Sequence, residues 1–261
     1  MVGQTELLSR LESFGIARLP HTVLLVGPEG CGKHTMAKEV ASHYGIGFVD
    51  MTDSIDLSTI QSIYSIPSPC MYAIDMSKVT EKEQNTLLKL LEEPSRNAFM
   101  FLLATSQSTL LPTVANRCVA FEFLPYTKDE LRTFADFSSD TDTILRYCDT
   151  PGKVMGANPD AIREAMSLCS NVVDNIGKAK YPNALTITRK FSLKEGDVGI
   201  PLSTFFDVMA TTLLERAIQG DENALALQPI VSEYRGRYLT HRFANEQLAD
   251  AMVTEMWRAC R

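Results

Sequence analysis

The sequence predicts an α/β domain built on a parallel sheet, followed by all-helical segments. Three observations predict it. A glycine-rich loop, Gly27-Pro28-Glu29-Gly30-Cys31-Gly32-Lys33, lies between an apolar run and a helical pattern. Up to Tyr126, short apolar runs alternate with amphipathic helical segments, the signature of parallel strands joined by covering helices. After Tyr126 the strand signals disappear and helix-start signals take over.

Strands are expected over 22–26, 47–50, 71–75, 99–105 and 119–123. The run Phe99-Met100-Phe101-Leu102-Leu103-Ala104 is apolar at every position, which suits a strand buried on both faces. A helix is expected from Lys33 to Tyr44. Another opens at the capping box Thr80 to Glu83 and stops before Pro94. Thr127-Lys128-Asp129-Glu130 is a second capping box, and Asn158-Pro159 places a cap and a first-turn proline before a further helix. Pro182-Asn183 interrupts the pattern. Long amphipathic segments follow over 202–219 and 245–260, with Gly220 suited to a helix C-terminus. These signals divide the chain into a nucleotide-binding domain over 1–126, a small helical domain over 127–181 and a separate helical unit over 182–261.

At 261 residues, with 45% hydrophobic and 22% charged side chains, the composition is that of an ordinary globular protein. The net charge of −7 excludes a broadly basic polyanion binder, so any nucleic-acid contact has to come from a local patch. Lys78, Lys82 and Lys89 lie on or beside one helix, but Glu81, Glu83, Glu92 and Glu93 surround them, as on an ordinary solvated face. Six widely spaced cysteines without a C-x-x-C pair argue against a zinc ribbon and read as reduced thiols. Residues 1–10 lack a hydrophobic signal core, and no apolar stretch approaches the roughly 20 residues of a membrane span. A cytoplasmic, nucleoid-associated location is the expectation.

The glycine loop carries the chemistry. Its glycines let backbone N–H groups curl around a phosphate, the following helix adds its positive end, and Lys33 reaches the terminal phosphates. After that lysine the motif wants Ser or Thr as a Mg²⁺ ligand, and this chain has His34. Thr35 is one residue further, rotated by roughly 100° on a helix, and does not simply take over. His34 reads as a loss of function, or else as a Mg²⁺-independent or pH-sensitive contact. Met71-Tyr72-Ala73-Ile74-Asp75 is an apolar strand ending in an acid, the place where a second nucleotide motif holds Mg²⁺. Asp75 is either that ligand or a strand-end acid in a hydrogen bond. The next residue, Met76, stands where many such ATPases have a Glu that polarises water, and a thioether cannot accept the proton.

The stretch Gln84 to Pro94, QNTLLKLLEEP, resembles the "QNALLKxLEEPP" of the AAA+ subunits of DNA polymerase clamp loaders, in particular the bacterial delta prime and gamma subunits and their phage counterparts. Further stretches agree in order and spacing. Val2-Gly3-Gln4 with Leu19-Pro20-His21 is similar to the lead-in "GQ … LPHA", whose first part lies by the adenine. Phe101 to Ser106 resembles the sensor 1 strand, which brings in Thr105 and Ser106. Leu111 to Cys118 is similar to "LLPTIxSRC", whose arginine, here Arg117, is the family's finger. Thr150-Pro151-Gly152-Lys153 resembles "GSPGKAL", whose basic residue, here Lys153, is sensor 2. The tail Ala244 to Leu248 resembles the "NxxxQL" of the collar helices. The departures are His34 and Met76, Asn116 for Ser, one residue fewer between Thr105 and Arg117, and no four-cysteine insert.

The resemblance implies a RecA-like AAA+ domain, a helical lid and a helical collar. It implies ATP or ADP in the loop 27–33, with His34, Thr35, Val2, Thr105, Ser106 and Lys153 around it. It implies a place in a five-subunit ATPase that opens a sliding clamp and closes it on primer-template DNA. Arg117 then serves a neighbour's ATP, since a guanidinium can neutralise a phosphoryl group in transit, or it is an ordinary salt-bridged arginine. Lys153 is either a phosphate contact or a solvated lysine. Two other roles fit the residues: an active motor subunit with Mg²⁺ held by Asp75 and waters, and an assembly scaffold that binds no nucleotide. The short collar is what a trimmed viral version would carry, acting in the host cytoplasm.

Overall fold

The computed structural model describes residues 2–51, 57–135, 139–192, 199–239 and 244–261. Packing divides the chain into two units, 1–134 with 149–155, and 135–148 with 156–261.

The first unit is built on a five-stranded sheet of β1 (Thr22–Val26), β2 (Gly47–Met51), β3 (Cys70–Asp75), β4 (Ala98–Ala104) and β5 (Val119–Glu122), in the order β2-β3-β4-β1-β5. Every pairing is parallel. Strand β4, AFMFLLA, is buried along its whole length, as the absence of polar side chains requires of a central strand covered on both faces. Its side chains alternate. Phe99, Phe101 and Leu103 join Leu11 of α1 (Thr5–Glu12) and Met36, Ala37, Val40 and Ala41 of α2 (Lys33–Tyr44) on one face. Met100, Leu102 and Ala104 join Ile60 and Ile63 of α3 (Leu57–Tyr64), Leu87, Leu90 and Leu91 of α4 (Glu81–Glu92) and Val114 of α5 (Pro112–Ala115) on the other.

Local signals set the helix ends. Helix α2 begins after Gly32 at φ 96° and ends at Gly45 at φ 62°, left-handed positions that glycine adopts without strain. Helix α4 opens on the Thr80 and Glu83 capping box, in which the Glu83 carboxylate accepts from the Thr80 N–H at 2.8 Å. The same device, Thr127 with Glu130, opens α6 (Lys128–Arg132). Helices α7 (Thr141–Tyr147), α8 (Pro151–Met155) and α9 (Pro159–Asn175) follow, the last capped by Asn158, whose side-chain oxygen accepts from the Asp160 N–H at 3.0 Å. The remaining helices are α10 (Tyr181–Ala184), α11 (Leu202–Ile218), α12 (Glu222–Leu239) and α13 (Asn245–Ala259).

In the second unit α9 and α12 pack on α11, and α13 packs on α12. By packing, residues 127–134 and 149–155 go with the sheet, and the rest of the 127–181 segment goes with the helices beyond it. Two features differ from the sequence reading. Among the described residues, the region after Tyr126 contains a short parallel strand pair, β6 (Phe191–Ser192) with β7 (Ile200–Pro201). Helix α12 was not expected as an element: its buried residues Ala224, Leu227, Val231 and Tyr234 recur at helical spacing, but Pro229 and Gly236 interrupt the pattern.

Because Phe101 is wholly buried in the strand that the core surrounds on both sides, Phe101→Ala is expected to cost about 3–5 kcal/mol. Urea unfolding of the full chain checks this, and a loss below about 1 kcal/mol would contradict the packing described.

Candidate nucleotide site

Parallel strands finish at one edge of their sheet, and the loop 27–32 begins there, directly after β1. The Gly27 N–H continues the β1–β4 ladder by donating to the Ala104 carbonyl at 3.1 Å. A Cβ at Gly27 would lie 2.8 Å from both Cys31 Sγ and Phe123 Cβ, so this position excludes every side chain. Gly30 and Gly32 have φ of 75° and 96°, which turns the loop back toward α2. Cys31 is buried beneath the loop, and its carbonyl accepts from the Tyr126 hydroxyl at 2.8 Å. Burial holds that phenol up at about 12 and also raises the Cys31 thiol.

Lys33 is the first residue of α2, and its ammonium donates to the Gly27 and Pro28 carbonyls at 2.7 and 2.8 Å. Burial pulls its pKa below the ordinary lysine value, opposed by Cys31 and by the carboxylates of Asp75 and Glu29. Pro28, Glu29 and Gly30 form the exposed rim of the loop.

The other predicted residues divide. Asp75 ends β3 at the same edge, where Oδ1 accepts from the Ser77 N–H at 3.0 Å and from the Ser77 hydroxyl at 2.8 Å, capping a short turn. Met76 turns inward to the α3–α4 face, 3% exposed among the leucines of α4. His34 faces β2: its Nε2 lies 2.8 Å from Asp50 Oδ2, and its ring stands edge-on to Phe48. Thr35 is exposed one position further along α2. Thr105 and Ser106 follow β4, and the Ser106 hydroxyl caps the turn Gln107–Thr109.

Val2 is exposed, and Gly3, at φ 75°, passes the Tyr126 ring where a Cβ would fall 2.5 Å from it. Gln4, 2% exposed, exchanges both hydrogen bonds with the Leu124 backbone, at 2.8 and 3.2 Å. The N-terminal segment is thereby locked to the residue stretch that props the loop.

The segment 149–155 rests on the loop backbone to backbone. The Gly152 N–H donates to the Gly30 carbonyl at 2.9 Å, and a Cβ at Gly152 would lie 2.7 Å from Gly30 Cα. Lys153 pairs with Asp149 at 3.0 Å. Arg117, just after α5, donates to the Thr113 carbonyl at 2.7 Å and to Glu92, the last residue of α4, at 2.6 Å. The structure thus gathers 27–33, Asp75, 105–106 and 149–153 at the sheet edge, directs His34 to β2, and holds Arg117 between α4 and α5. Sequence reasoning missed the partners Asp50, Ser77, Glu92 and Tyr126. None of them is signalled by a motif, although the place of Ser77 two residues after Asp75 fits a capping turn.

The family described as DNA polymerase III, delta subunit, matches residues 68–127, which include Asp75, α4 and Arg117. The replication factor C small subunit of Thermofilum pendens is 28% identical over 148 residues, 50% of this chain and 45% of that protein. The DNA polymerase III subunit delta' of Haemophilus influenzae is 32% identical over 87 residues, 29% of this chain and 27% of its own length. Over these stretches the chain is similar to clamp loader subunits. It matches less than half the length of these curated relatives. The fold agrees with the RuvB Holliday junction branch migration motor of Thermotoga maritima, at a TM-score of 0.51 and 18% identity over 90% of this chain and 78% of that one. The first unit accordingly has a RecA-like α/β fold, followed by helical structure.

For this domain the half-buried Lys33 makes a pH-dependent prediction. Its folded-state pKa lies below the ordinary 10.5, so the unfolded chain binds more protons in the window just under that value, and stability rises with pH there. Lys33→Met removes the group. The urea midpoint of the wild type should therefore gain on that of Lys33→Met as pH climbs toward 10.5, and a constant difference would contradict the burial of the ammonium.

Proposed function

We propose that this chain is a nucleotide-binding subunit of a sliding-clamp loader, with weak or no ATP hydrolysis of its own, that lends Arg117 to the ATP site of a neighbouring subunit. The observation that carries the reading is a division of labour at the sheet edge. The backbone frame of the loop and Lys33 are in place, while the positions expected to serve hydrolysis are engaged elsewhere: His34 with Asp50, Asp75 with Ser77, and Met76 in the core. The loop fits ATP or ADP through its left-handed glycines and the N-terminus of a 12-residue helix. A Mg²⁺ ion would have Asp75 as its protein ligand, in competition with the Ser77 bonds.

Arg117 keeps a guanidinium of five donors, two of them directed at Thr113 and Glu92. Exposed ion pairs of this kind are worth roughly 0.2–1 kcal/mol, whereas a finger in trans is worth roughly 10³ to 10⁵ in rate. The Glu92 pair is therefore easily exchanged for a phosphoryl group. On this reading the partners are the other subunits of a pentameric loader, the clamp and primer-template DNA, in the cytoplasm at the nucleoid. Residues 182–261 supply the collar that assembles them.

Equilibrium binding of a fluorescent ATP analogue, with and without Mg²⁺, should give saturable binding that Lys33→Ala abolishes, and steady turnover by the isolated chain should be absent. Brisk hydrolysis lost in Lys33→Ala would defeat the reading in favour of a motor subunit. In the assembled loader with clamp and primed DNA, Arg117→Ala should lower ATPase by on the order of tenfold or more, with Arg117→Lys a poor substitute. A wild-type rate would return Arg117 to the ordinary surface arginines.

A second reading, a scaffold that binds no nucleotide, draws on one feature: the loop's own carbonyls already take the Lys33 ammonium, and Gly152 already takes the Gly30 carbonyl. Absence of analogue binding by the wild type would establish it.

A further inference from the structure

Thr150 stands out among the buried polar groups. It is 0% exposed, and its hydroxyl has no hydrogen-bond partner among the described residues. Its own carbonyl is used, accepting from the Val154 N–H at 3.1 Å, so only the side chain is left over. A hydroxyl removed from water without a partner carries the full desolvation cost of that group, and such a group calls for an explanation.

The hydroxyl is aimed at the nucleotide loop. A Cβ built on Gly30 would lie 2.9 Å from Thr150 Oγ, and Gly30 itself is exposed, so Thr150 sits directly behind the loop's outer backbone.

The chemistry around the hydroxyl selects an anion. The Gly152 N–H is spent on the Gly30 carbonyl and the Lys33 ammonium on the Gly27 and Pro28 carbonyls, so each of these carbonyls already accepts one hydrogen bond. An additional O–H donor in this place suits an acceptor-only group. The loop's N–H groups and the N-terminus of α2 favour the same charge.

We propose that the Thr150 hydroxyl is a contact of the nucleotide site, donating to a phosphate oxygen of a nucleoside di- or triphosphate held by the loop 27–33. This rests on the nucleotide-binding reading above and adds to it a residue outside the loop. As phosphate replaces the Gly27 and Pro28 carbonyls at Lys33, the loop shifts about Gly30, and the hydroxyl behind it gains its acceptor. Thr150 lies in the segment 149–155, which leaves the helical unit to join the sheet unit and then returns, so the contact places a phosphate sensor on that excursion of the chain.

The test uses the full chain with a fluorescent ATP analogue, and compares wild type, Thr150→Val, Thr150→Ser and Lys33→Ala for binding, with thermal unfolding in the absence of nucleotide as the second readout. Thr150→Val keeps the shape and removes only the hydroxyl. It should bind about tenfold more weakly or worse, the usual loss for a hydrogen bond to a charged group, while its unfolding temperature is not lowered. Thr150→Ser, which retains the donor, should bind close to wild type. Equal binding by wild type and Thr150→Val, with Lys33→Ala impaired, overturns the contact and leaves the nucleotide site standing. A Thr150→Val protein that is both less stable and weaker in binding, with no rescue by Ser, also overturns it, because that pattern is one of packing. No binding by the wild type overturns the contact together with the reading it rests on.

Discussion

The hydrogen bond from the Gly27 N–H to the Ala104 carbonyl carries the β1–β4 ladder one residue beyond β1 and ties the glycine loop to the sheet. Everything at the candidate site depends on that tie. It brings Gly27 against Phe123 and Cys31 so tightly that no side chain fits, which in turn buries Cys31 and presents its carbonyl to Tyr126. Tyr126 is held by the N-terminal segment, where Gly3 passes its ring and Gln4 pairs with Leu124 like one more strand. The order β2-β3-β4-β1-β5 then sets the ends of β3 and β4, with Asp75 and Thr105, on the same side of the loop.

The side chains at this edge are engaged with very different strength. The exposed Arg117–Glu92 ion pair is worth roughly 0.2–1 kcal/mol or less, and like the exposed His34–Asp50 hydrogen bond it exchanges readily for a better partner. Met76 is another matter. Withdrawing a fully buried methionine from the core costs roughly 1.5–3 kcal/mol, and nothing in a thioether would repay this at a nucleotide. The position after Asp75 thus serves the core, whereas His34 and Arg117 remain available to change partner.

The chain crosses between its two units at more than one place, because 149–155 departs from the helical unit and comes back to it. Among its contacts are the Gly152 to Gly30 bond, the close approach that two glycines permit, and the burial of Thr150, Pro151 and Val154. A methyl group on either glycine would push the segment away. The pair acts as a fastening whose strength is set by the absence of side chains.

What the sequence alone determined was whatever depends on neighbours along the chain. The glycine loop, the five strands to within a residue at their ends, the capping boxes at Thr80 and Thr127 and the cap at Asn158 are local signals, and each holds in the structure. Helix α12 was illegible because Pro229 and Gly236 break its period, and β6 with β7 because two-residue strands have no period to read. Tertiary structure alone decided which partner each reactive side chain keeps. Asp50 lies 16 residues from His34, Glu92 lies 25 from Arg117, and Gly30 meets Gly152 across the whole sheet domain. No spacing rule encodes such pairs, since they arise only when separate elements are packed to within a few ångströms. The same packing closed Thr150 away from solvent and left its hydroxyl facing the loop, a result of burial that a threonine in a sequence does not announce.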